Sequence, residues 1–245
     1  MKSSTFNAIV LSSAFVIGYF IFEYTLPPFI KDGGPLVIAL IALVIMLVTY
    51  IFERFFTLRK AQGKGALTVF LKNVQQAVNT GDIEGAIAAC DNQRGSCANI
   101  IRTGLEQYKM LIEEGDIKGQ KELMENVQRS IEEATMLEVP LLERNLVSLS
   151  TIASIGTMIG LLGTVIGMIR SFQAMSRAGA PDAVQLALGI SEALINTAGG
   201  LVAGIGGIVA YNFFVTKIDN FTYMIDEASY AIVQSLAVRK PSKSK

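Results

Sequence analysis

The sequence predicts an all-α integral membrane protein in which long transmembrane helices extend into a helical cytoplasmic domain. Three observations lead to this prediction. Of the 245 residues, 51% are hydrophobic and only 17% are charged, whereas soluble domains usually have about 25% charged residues. Several apolar runs are long enough to cross the hydrocarbon of a bilayer, which takes about 20 helical residues. The polar stretch between them has helical periodicity and no strand-like alternation.

The first apolar run lies within residues 1–34, which we interpret as an N-terminal hydrophobic helix and a short external loop. The run covers residues 6–26 and ends at Pro27 and Pro28, which cannot continue a helix. A cleaved signal peptide is the alternative interpretation. The single Lys2, the length of the run and the lack of a clean small-x-small site disfavour it. Whether this run spans the membrane stays open at this point.

Residues 35–52 form the second run, which is uncharged and predicts a transmembrane helix. Arg54, Arg59, Lys60 and Lys64 follow it closely. Cytoplasmic loops carry an excess of such cations, so this end is expected to face the cytoplasm. The preceding short loop then lies outside.

Residues 53–145 form the only sizeable polar region and predict a cytoplasmic helical domain. Asp82 is placed to cap a following helix, and Pro140 predicts a kink where a long helix enters the membrane. A stripe of apolar residues predicts one buried helix face; it consists of Leu67, Phe70, Leu71, Val74 and Val78. The acidic residues near the end of the region are interpreted as a solvated face; they include Glu132, Glu133, Glu138 and Glu143.

Two further transmembrane helices are predicted at residues 146–176 and 184–216, joined by an external turn at 177–183. Arg177 in that turn is an exception to the charge rule. Residues 217–245 predict a cytoplasmic C-terminal helix and basic tail, because the cations of this stretch place it inside; they are Lys217, Arg239, Lys240, Lys243 and Lys245.

The last two spans carry rows of small residues, which let membrane helices approach closely. One row is Gly156, Gly160, Gly163 and Gly167, in steps of four, three and four. The matching row in the other span contains Asn196, Gly200, Ala203, Gly204, Gly207 and Tyr211. We expect the two helices to pack against each other or against a neighbouring copy. Helix packing alone accounts for each glycine.

Glu192 is the strongest candidate for chemistry, because an ionisable residue inside a span usually marks a functional path. A partly hydrated, structural carboxylate near the external end is the alternative. Thr164 and Thr197 are the other candidate ion-pathway residues, although each also suits an ordinary packed hydroxyl. Glu192 and Thr197 are five residues apart, which is about 140° around a helix, so one linear path through both is not implied. Apart from Glu23, the spans hold no other acidic group, and this invites a partner that brings one.

The composition argues against other classes of function. The formal net charge is zero, so no basic face for nucleic acid is expected. There is no histidine, and the spacing of Cys90 and Cys97 matches no metal motif, so both are interpreted as reduced thiols. No nucleophile is paired with a base. We therefore predict no enzyme activity, no metal and no cofactor.

Two stretches resemble the signature spans of the ExbB/TolQ/MotA proton-channel family, most like ExbB: GLLGTVIGMIRSF at 160–172 and ISEALINTAGGLVAGIGGIVAYN at 190–212. The ERFFTLRK stretch also looks like the end of the family's first conserved helix. The resemblance implies a pentamer around a central pore in the bacterial inner membrane, with Thr164, Glu192 and Thr197 as its polar pore residues. It also implies an ExbD/TolR-like single-span protein dimer in the pore, which supplies the proton-carrying Asp, and a TonB-like protein that delivers the energy of the proton motive force.

The sequence departs from the family's pattern in places. Thr157 and Gly206 stand where relatives often have proline, and the first run adds a helix before the usual three. TolQ, flagellar-stator and gliding-motor subfamilies stay as alternatives to ExbB, as does a non-conducting membrane scaffold. Protons are favoured over sodium by the resemblance alone, since hydroxyls and carboxylates serve both ions.

Overall fold

The structure, a computed structural model, describes residues 3–114, 119–176 and 182–238. These residues form nine α-helices and no β-strand, which confirms the all-α prediction for this part of the chain. The helices are α1 (Ser3–Tyr24), α2 (Pro28–Lys31), α3 (Leu36–Gln62), α4 (Leu67–Thr80), α5 (Ile83–Gln93), α6 (Ser96–Glu114), α7 (Gln120–Glu143), α8 (Leu146–Ser176) and α9 (Ala183–Val238). Most of the predicted external turn, with Arg177, lies outside the described residues, as does the basic tail from Arg239 onward.

The chain divides into two compact units. The first contains Met1–Arg54 and Asn145–Phe214, and the second contains Phe55–Arg144 and Val215–Lys245. Four helical stretches are long and apolar enough to cross a membrane: Asn7–Tyr24, Leu36–Thr80, Gln120–Ser176 and Ala183–Val238. Most residues of the first unit belong to these four stretches.

Helix α1 packs closely along α3 within the first unit. Gly18 faces the α3 backbone, and a Cβ added there would lie 3.2 Å from the Ile38 carbonyl oxygen. The Tyr50 hydroxyl donates a hydrogen bond of 3.1 Å to Asn7 Oδ1. The missing side chain thus lets the two backbones approach, and the hydrogen bond joins a polar group of each helix.

The second unit is held together by amphipathic helices. Helix α5 packs against α4 and α6, and α6 packs against α7. The apolar stripe of α4 lies inside, since Leu67, Phe70, Val74 and Val78 are buried, while Leu71 is half-buried. Asp82 Oδ1 accepts a 2.8 Å hydrogen bond from the Gly85 amide. The prediction that Asp82 caps α5 is confirmed.

The kink at Pro140 stays a prediction, and a break between two helices follows a few residues later. Pro140 is inside α7, which ends at Glu143, and α8 begins at Leu146. Asn145 has a left-handed backbone with φ of 67°, a conformation that asparagine tolerates better than most residues. Pro140 has no backbone N–H, so the hydrogen bond that a helical residue here would donate to the Met136 carbonyl is missing.

Helix α3 continues beyond residue 52, where the predicted span ends, to Gln62. It is stopped by a left-handed Gly63, with φ of 82°, and by Gln93. The Gln93 side-chain amide donates to the Gln62 carbonyl at 3.0 Å, and the Lys64 amide donates to the Gln93 carbonyl at 2.8 Å. A turn well separated in sequence thus satisfies the backbone groups at the end of α3.

Candidate ion-pathway site

The site lies on a seam where α8 and α9 run antiparallel in backbone contact. A Cβ added to Gly160 would lie 2.9 Å from the Gly200 Cα atom, and one added to Gly207 would lie 2.7 Å from Ala153 Cβ. The contacts of the other glycines continue the same register: Gly156 with Ala203, Gly163 with Asn196, Gly167 with Gly189 and Ala193, and Gly204 with Thr157. The small residues of the two helices therefore face each other within one chain.

Glu192 lies on this seam, near the start of α9, and only 5% of its surface is exposed. Arg170, near the end of α8, places one guanidinium nitrogen, Nη1, 2.6 Å from each carboxylate oxygen. The glutamate side chain is 6% exposed and the arginine side chain 52%. A buried carboxylate without a partner is strongly unfavourable, so Arg170 supplies the charge that permits the burial of Glu192.

The turn between α2 and α3 covers another side of the Glu192 carboxylate. Gly34 has a left-handed backbone with φ of 73°, and a Cβ at this position would lie 2.8 Å from Glu192 Oε1. Any larger residue would meet the carboxylate and also strain the backbone. Gly34 therefore lets the turn pass close to Glu192.

Asn196 fastens that turn to α9. Its side-chain amide nitrogen donates to the Gly33 carbonyl at 2.7 Å and to the Glu192 backbone carbonyl at 2.9 Å. Asn196 is completely buried, and its Oδ1 accepts no hydrogen bond from any residue in the described part of the chain. Buried acceptors usually have a donor, so this oxygen stands out among the polar atoms beside Glu192.

The two candidate threonines do not join this cluster. Thr197 Oγ1 donates to the Ala193 carbonyl of its own helix at 3.0 Å and lies 3.5 Å from the Gly160 carbonyl. Thr164 Oγ1 donates to the Leu161 carbonyl at 2.6 Å. Both side chains are half-exposed. Each hydroxyl is thus satisfied within its own helix, as is common for threonine in helices.

This seam and the two helices before it, α6 and α7, lie in a region that matches a protein-family model. The model of the MotA/TolQ/ExbB proton channel family matches residues 92–227, which is more than half of the chain. The chain belongs to this family. Membership together with four long apolar helices makes it a multi-pass membrane protein of a proton-channel family.

Individual relatives do not separate the subfamilies of this proton-channel family. The Tol-Pal system protein TolQ of Pseudomonas aeruginosa is 29% identical over 68% of this chain and 71% of its own length. A putative biopolymer transport protein ExbB-like 3 of Synechocystis is 41% identical over 35% of the chain and 41% of its own length. The biopolymer transport protein ExbB of Pseudomonas putida is 32% identical over 35% of the chain and 26% of its own length.

The family match includes both Arg170 and Glu192 but excludes α1, α2 and α3. The turn that covers Glu192 therefore comes from a part of the chain outside the matched region. Sequence reasoning did not identify Arg170, Gly34 or Asn196 as parts of the site. Arg170 had a usable signal in the sequence, because a cation late in one helix and a carboxylate early in the next lie near the same end of an antiparallel pair. The roles of Gly34 and of Asn196 Oδ1 gave no signal in the sequence, because they depend on a contact between distant segments.

A second buried charge lies at the other end of the first unit of this proton-channel protein. Arg54 is 1% exposed, and its guanidinium donates to both oxygens of Glu53, at 2.6 and 2.7 Å. Asn145 lies 3.4 Å from the same carboxylate. In the sequence, Arg54 stands out only as one of the cations that predict the cytoplasmic side. The structure shows that it is also a buried, paired charge.

No three His, Cys, Asp or Glu side chains in residues 3–114, 119–176 and 182–238 are grouped so that they could hold a metal ion. Cys90 and Cys97 are both buried in the second unit. Burial raises the pKa of the Cys90 thiol to about 12, and it does the same for Cys97. Both thiols are therefore protonated and weakly nucleophilic at neutral pH.

Proposed function

We propose that this chain is the ExbB-type subunit of an ion-driven motor in the bacterial inner membrane. In this proposal it works with an ExbD-like partner and uses the proton motive force to energise TonB-dependent outer-membrane transport. The observation that carries the ion-conducting part is Glu192, a carboxylate buried on the seam between two apolar helices. Ionisable groups at such positions are expensive and usually belong to an ion path.

The composition of the spans supports a partner that completes this path. In the described part of the first unit, the other acidic residues lie near or beyond helix ends: Glu23, Asp32 and Asp182 are exposed, and Glu53 is paired with Arg54. A carboxylate that loads and releases protons in mid-membrane is then expected from another chain. We propose that five copies surround a dimer of a single-span ExbD/TolR-like protein, with the half-exposed Thr164 on the face toward it.

The distribution of cations supports a cytoplasmic C-terminus and a cytoplasmic second unit. Arg59 and Lys60 lie in the last turn of α3, and further lysines and arginines follow α9 in the sequence. Cations at these positions favour the cytoplasmic side of the membrane. In this orientation the Glu192 cluster is near the external end of its span.

A TolQ-type subunit is the second candidate, and one observation favours it. The similarity to TolQ of Pseudomonas aeruginosa extends over 167 residues, whereas that to the ExbB of Pseudomonas putida extends over 85. Co-expression of this chain with an ExbD-like protein or with a TolR-like protein, followed by affinity purification, separates the two. Selective and stoichiometric recovery of one partner identifies the type.

The central experiment tests Glu192 in the assembled complex. We expect native mass spectrometry of the co-expressed chains to give five copies with two partners. In proteoliposomes, Glu192→Ala should abolish proton flux driven by a membrane potential and leave the complex assembled. Arg129→Ala is a suitable control, because Arg129 pairs with Glu133 on an exposed helix face. Unchanged flux in Glu192→Ala would refute the ion-pathway role.

A non-conducting scaffold is the alternative from another functional class. The local hydrogen bonds of Thr164 and Thr197 favour it, because hydroxyls satisfied in their own helices need no ion. The variant with both Thr164→Val and Thr197→Val keeps the side-chain shape and removes the hydroxyls. Loss of ion-coupled function in cells with intact assembly supports the pore, whereas function that is indifferent to both substitutions favours the scaffold.

A further inference from the structure

The ion pair on Glu192 is built so that it can open. Both carboxylate oxygens share the single nitrogen Nη1 of Arg170, whereas the stronger arrangement uses two nitrogens in parallel. No residue in the described part of the chain accepts from Nε or Nη2 of Arg170. The arginine side chain is also 52% exposed while that of Glu192 is 6% exposed. The guanidinium therefore has room to leave, and the carboxylate does not.

The other sides of the carboxylate are closed by backbone. Gly34 lies against Glu192 Oε1, and Asn196 ties the neighbouring Gly33 to α9. Among the charged groups near the turn, Lys31 donates to the Glu23 backbone carbonyl, and Asp32 is exposed. Arg170 is thus the charged side chain that contacts Glu192, and its position decides whether the carboxylate can be reached.

We propose that Arg170 is a gating residue, a tethered cation that occupies the place on Glu192 that a transported cation takes when the arginine swings away. Asn196 positions the carboxylate by holding its backbone and the covering turn, and its buried Oδ1 accepts from the hydrated proton or water that follows. This inference rests on the proposed function, because it assigns a gate to the proposed ion path. It adds a residue on α8 and a turn before α3 to that path.

The gate has a physical consequence for coupling. While Arg170 is in place, its positive charge repels an approaching cation and neutralises the carboxylate that would attract it. When Arg170 leaves, the buried carboxylate has lost its charge partner and is open to a small cation. An ion can then enter only when something else stabilises the displaced guanidinium, so uncoupled leakage is suppressed.

The first test measures access to Glu192 without relying on transport. Dicyclohexylcarbodiimide adds to protonated carboxyl groups in apolar surroundings, and mass spectrometry detects the stable adduct on Glu192. In full-length protein in lipid nanodiscs, Arg170→Gln should raise the labelling rate of Glu192 by about tenfold or more, which corresponds to the loss of one charge interaction. Arg170→Lys, which keeps the charge, should raise it much less. Labelling of the exposed Glu23 serves as an internal reference.

A chemical version of this test avoids a variant that folds poorly. Arg170→Cys protein can be modified in the folded state with a neutral methyl or a positive aminoethyl methanethiosulfonate. The native thiols are buried and protonated, so they should not interfere. The aminoethyl adduct should restore protection of Glu192 and the methyl adduct should not. Equal labelling in all forms would overturn the gate.

The second test measures flux in proteoliposomes with the co-reconstituted partner. Arg170→Gln should increase uncoupled ion flux by about tenfold, and adding Glu192→Gln should remove the increase. A defect of assembly alone would not depend on Glu192 in this way. Arg129→Gln is the control on an exposed ion pair. If Arg170→Gln has the flux and the labelling rate of the wild type, the gate is refuted. If Glu192→Gln has the flux of the wild type, the proposed path is refuted. In that second case the labelling rate still reports whether Arg170 covers Glu192.

Discussion

The two units of this protein are packed by opposite means. In the first unit, α8 and α9 meet through glycines whose backbones touch, as between Gly160 and Gly200. In the second, the interior is filled by large aliphatic side chains such as Ile100, Leu105 and Val127, none of which is exposed. In water, burial of apolar surface drives association. Between apolar helices in lipid this drive is absent, and close backbone approach replaces it.

The comparison also explains where charges are found. The second unit has its ion pairs on exposed faces, as between Arg102 and Glu106, where such pairs contribute little. In the first unit the ion pairs include buried members, Glu192 and Arg54. A buried charge is tolerated only with a partner. Both buried members of the first unit, Glu192 and Arg54, have such a partner.

The largest effect is expected where a side chain is added to the seam. Gly200→Ala would place a Cβ 2.6 Å from the Gly160 Cα atom and 2.7 Å from the Gly156 carbonyl oxygen. We expect the free energy of unfolding to fall by about 3 kcal/mol or more, because backbone cannot move aside as a side chain can. Thermal unfolding in detergent measures it. The neighbouring Gly199→Ala is the matched control, since its Cβ meets only the flexible end of Leu40. Equal effects of the two changes would contradict this account.

A smaller effect is expected where a side chain is removed from the second unit. Val127→Ala removes two methyl groups from a fully buried position in α7. The free energy of unfolding should fall by about 2 kcal/mol from lost burial and the cavity left behind. Hydrogen exchange of peptides from 120–143 in the full-length protein reports it. Val69→Ala, at a 58% exposed position of α4, should change little. A similar effect at both positions would argue against a tightly packed interior.

A still smaller effect is expected at a helix cap. Asp82→Ala removes the acceptor for the Gly85 amide and should destabilise the start of α5 by about 1 kcal/mol. Asp82→Ser keeps an acceptor at this position and should recover most of that loss. Hydrogen exchange of the amides at the start of α5 separates the two variants. Identical protection in both would mean that the cap contributes nothing.

The smallest effect concerns the pH dependence of the second unit. Burial raises the pKa of Cys90 and Cys97 from 9.0 to about 12. The folded state therefore holds these protons more tightly, and the stability this provides is complete below pH 9 and is lost as pH rises toward 12. Between pH 7 and pH 9 each thiol should lower the free energy of unfolding by about 0.4 kcal/mol. Denaturation of the wild type and of Cys90→Ala/Cys97→Ala at both pH values measures it. The free energy of unfolding should fall less between the two pH values in the variant than in the wild type. An equal fall in both proteins would exclude this contribution.

The sequence by itself determined the helical class, the apolar spans and the amphipathic stripe of α4, because hydropathy and periodicity are local properties. It also placed Asp82 at a helix start. It singled out Glu192, since a carboxylate in an apolar run is conspicuous whatever surrounds it. The kink at Pro140 stays a prediction, whereas the break at residues 144–145 was not predicted, because its left-handed residue, Asn145, is not the glycine that usually ends a helix.

Only the tertiary structure decided what Glu192 contacts. Its partner Arg170 comes from another helix, and the covering Gly34 and the anchor Gly33 come from a turn about 160 residues away in sequence, as the Asn196 hydrogen bond shows. These contacts depend on which helices are neighbours and in what register, and neither follows from composition. The sequence therefore identified the charged residue, and the packing of glycine-lined helices determined that it is a paired and covered carboxylate.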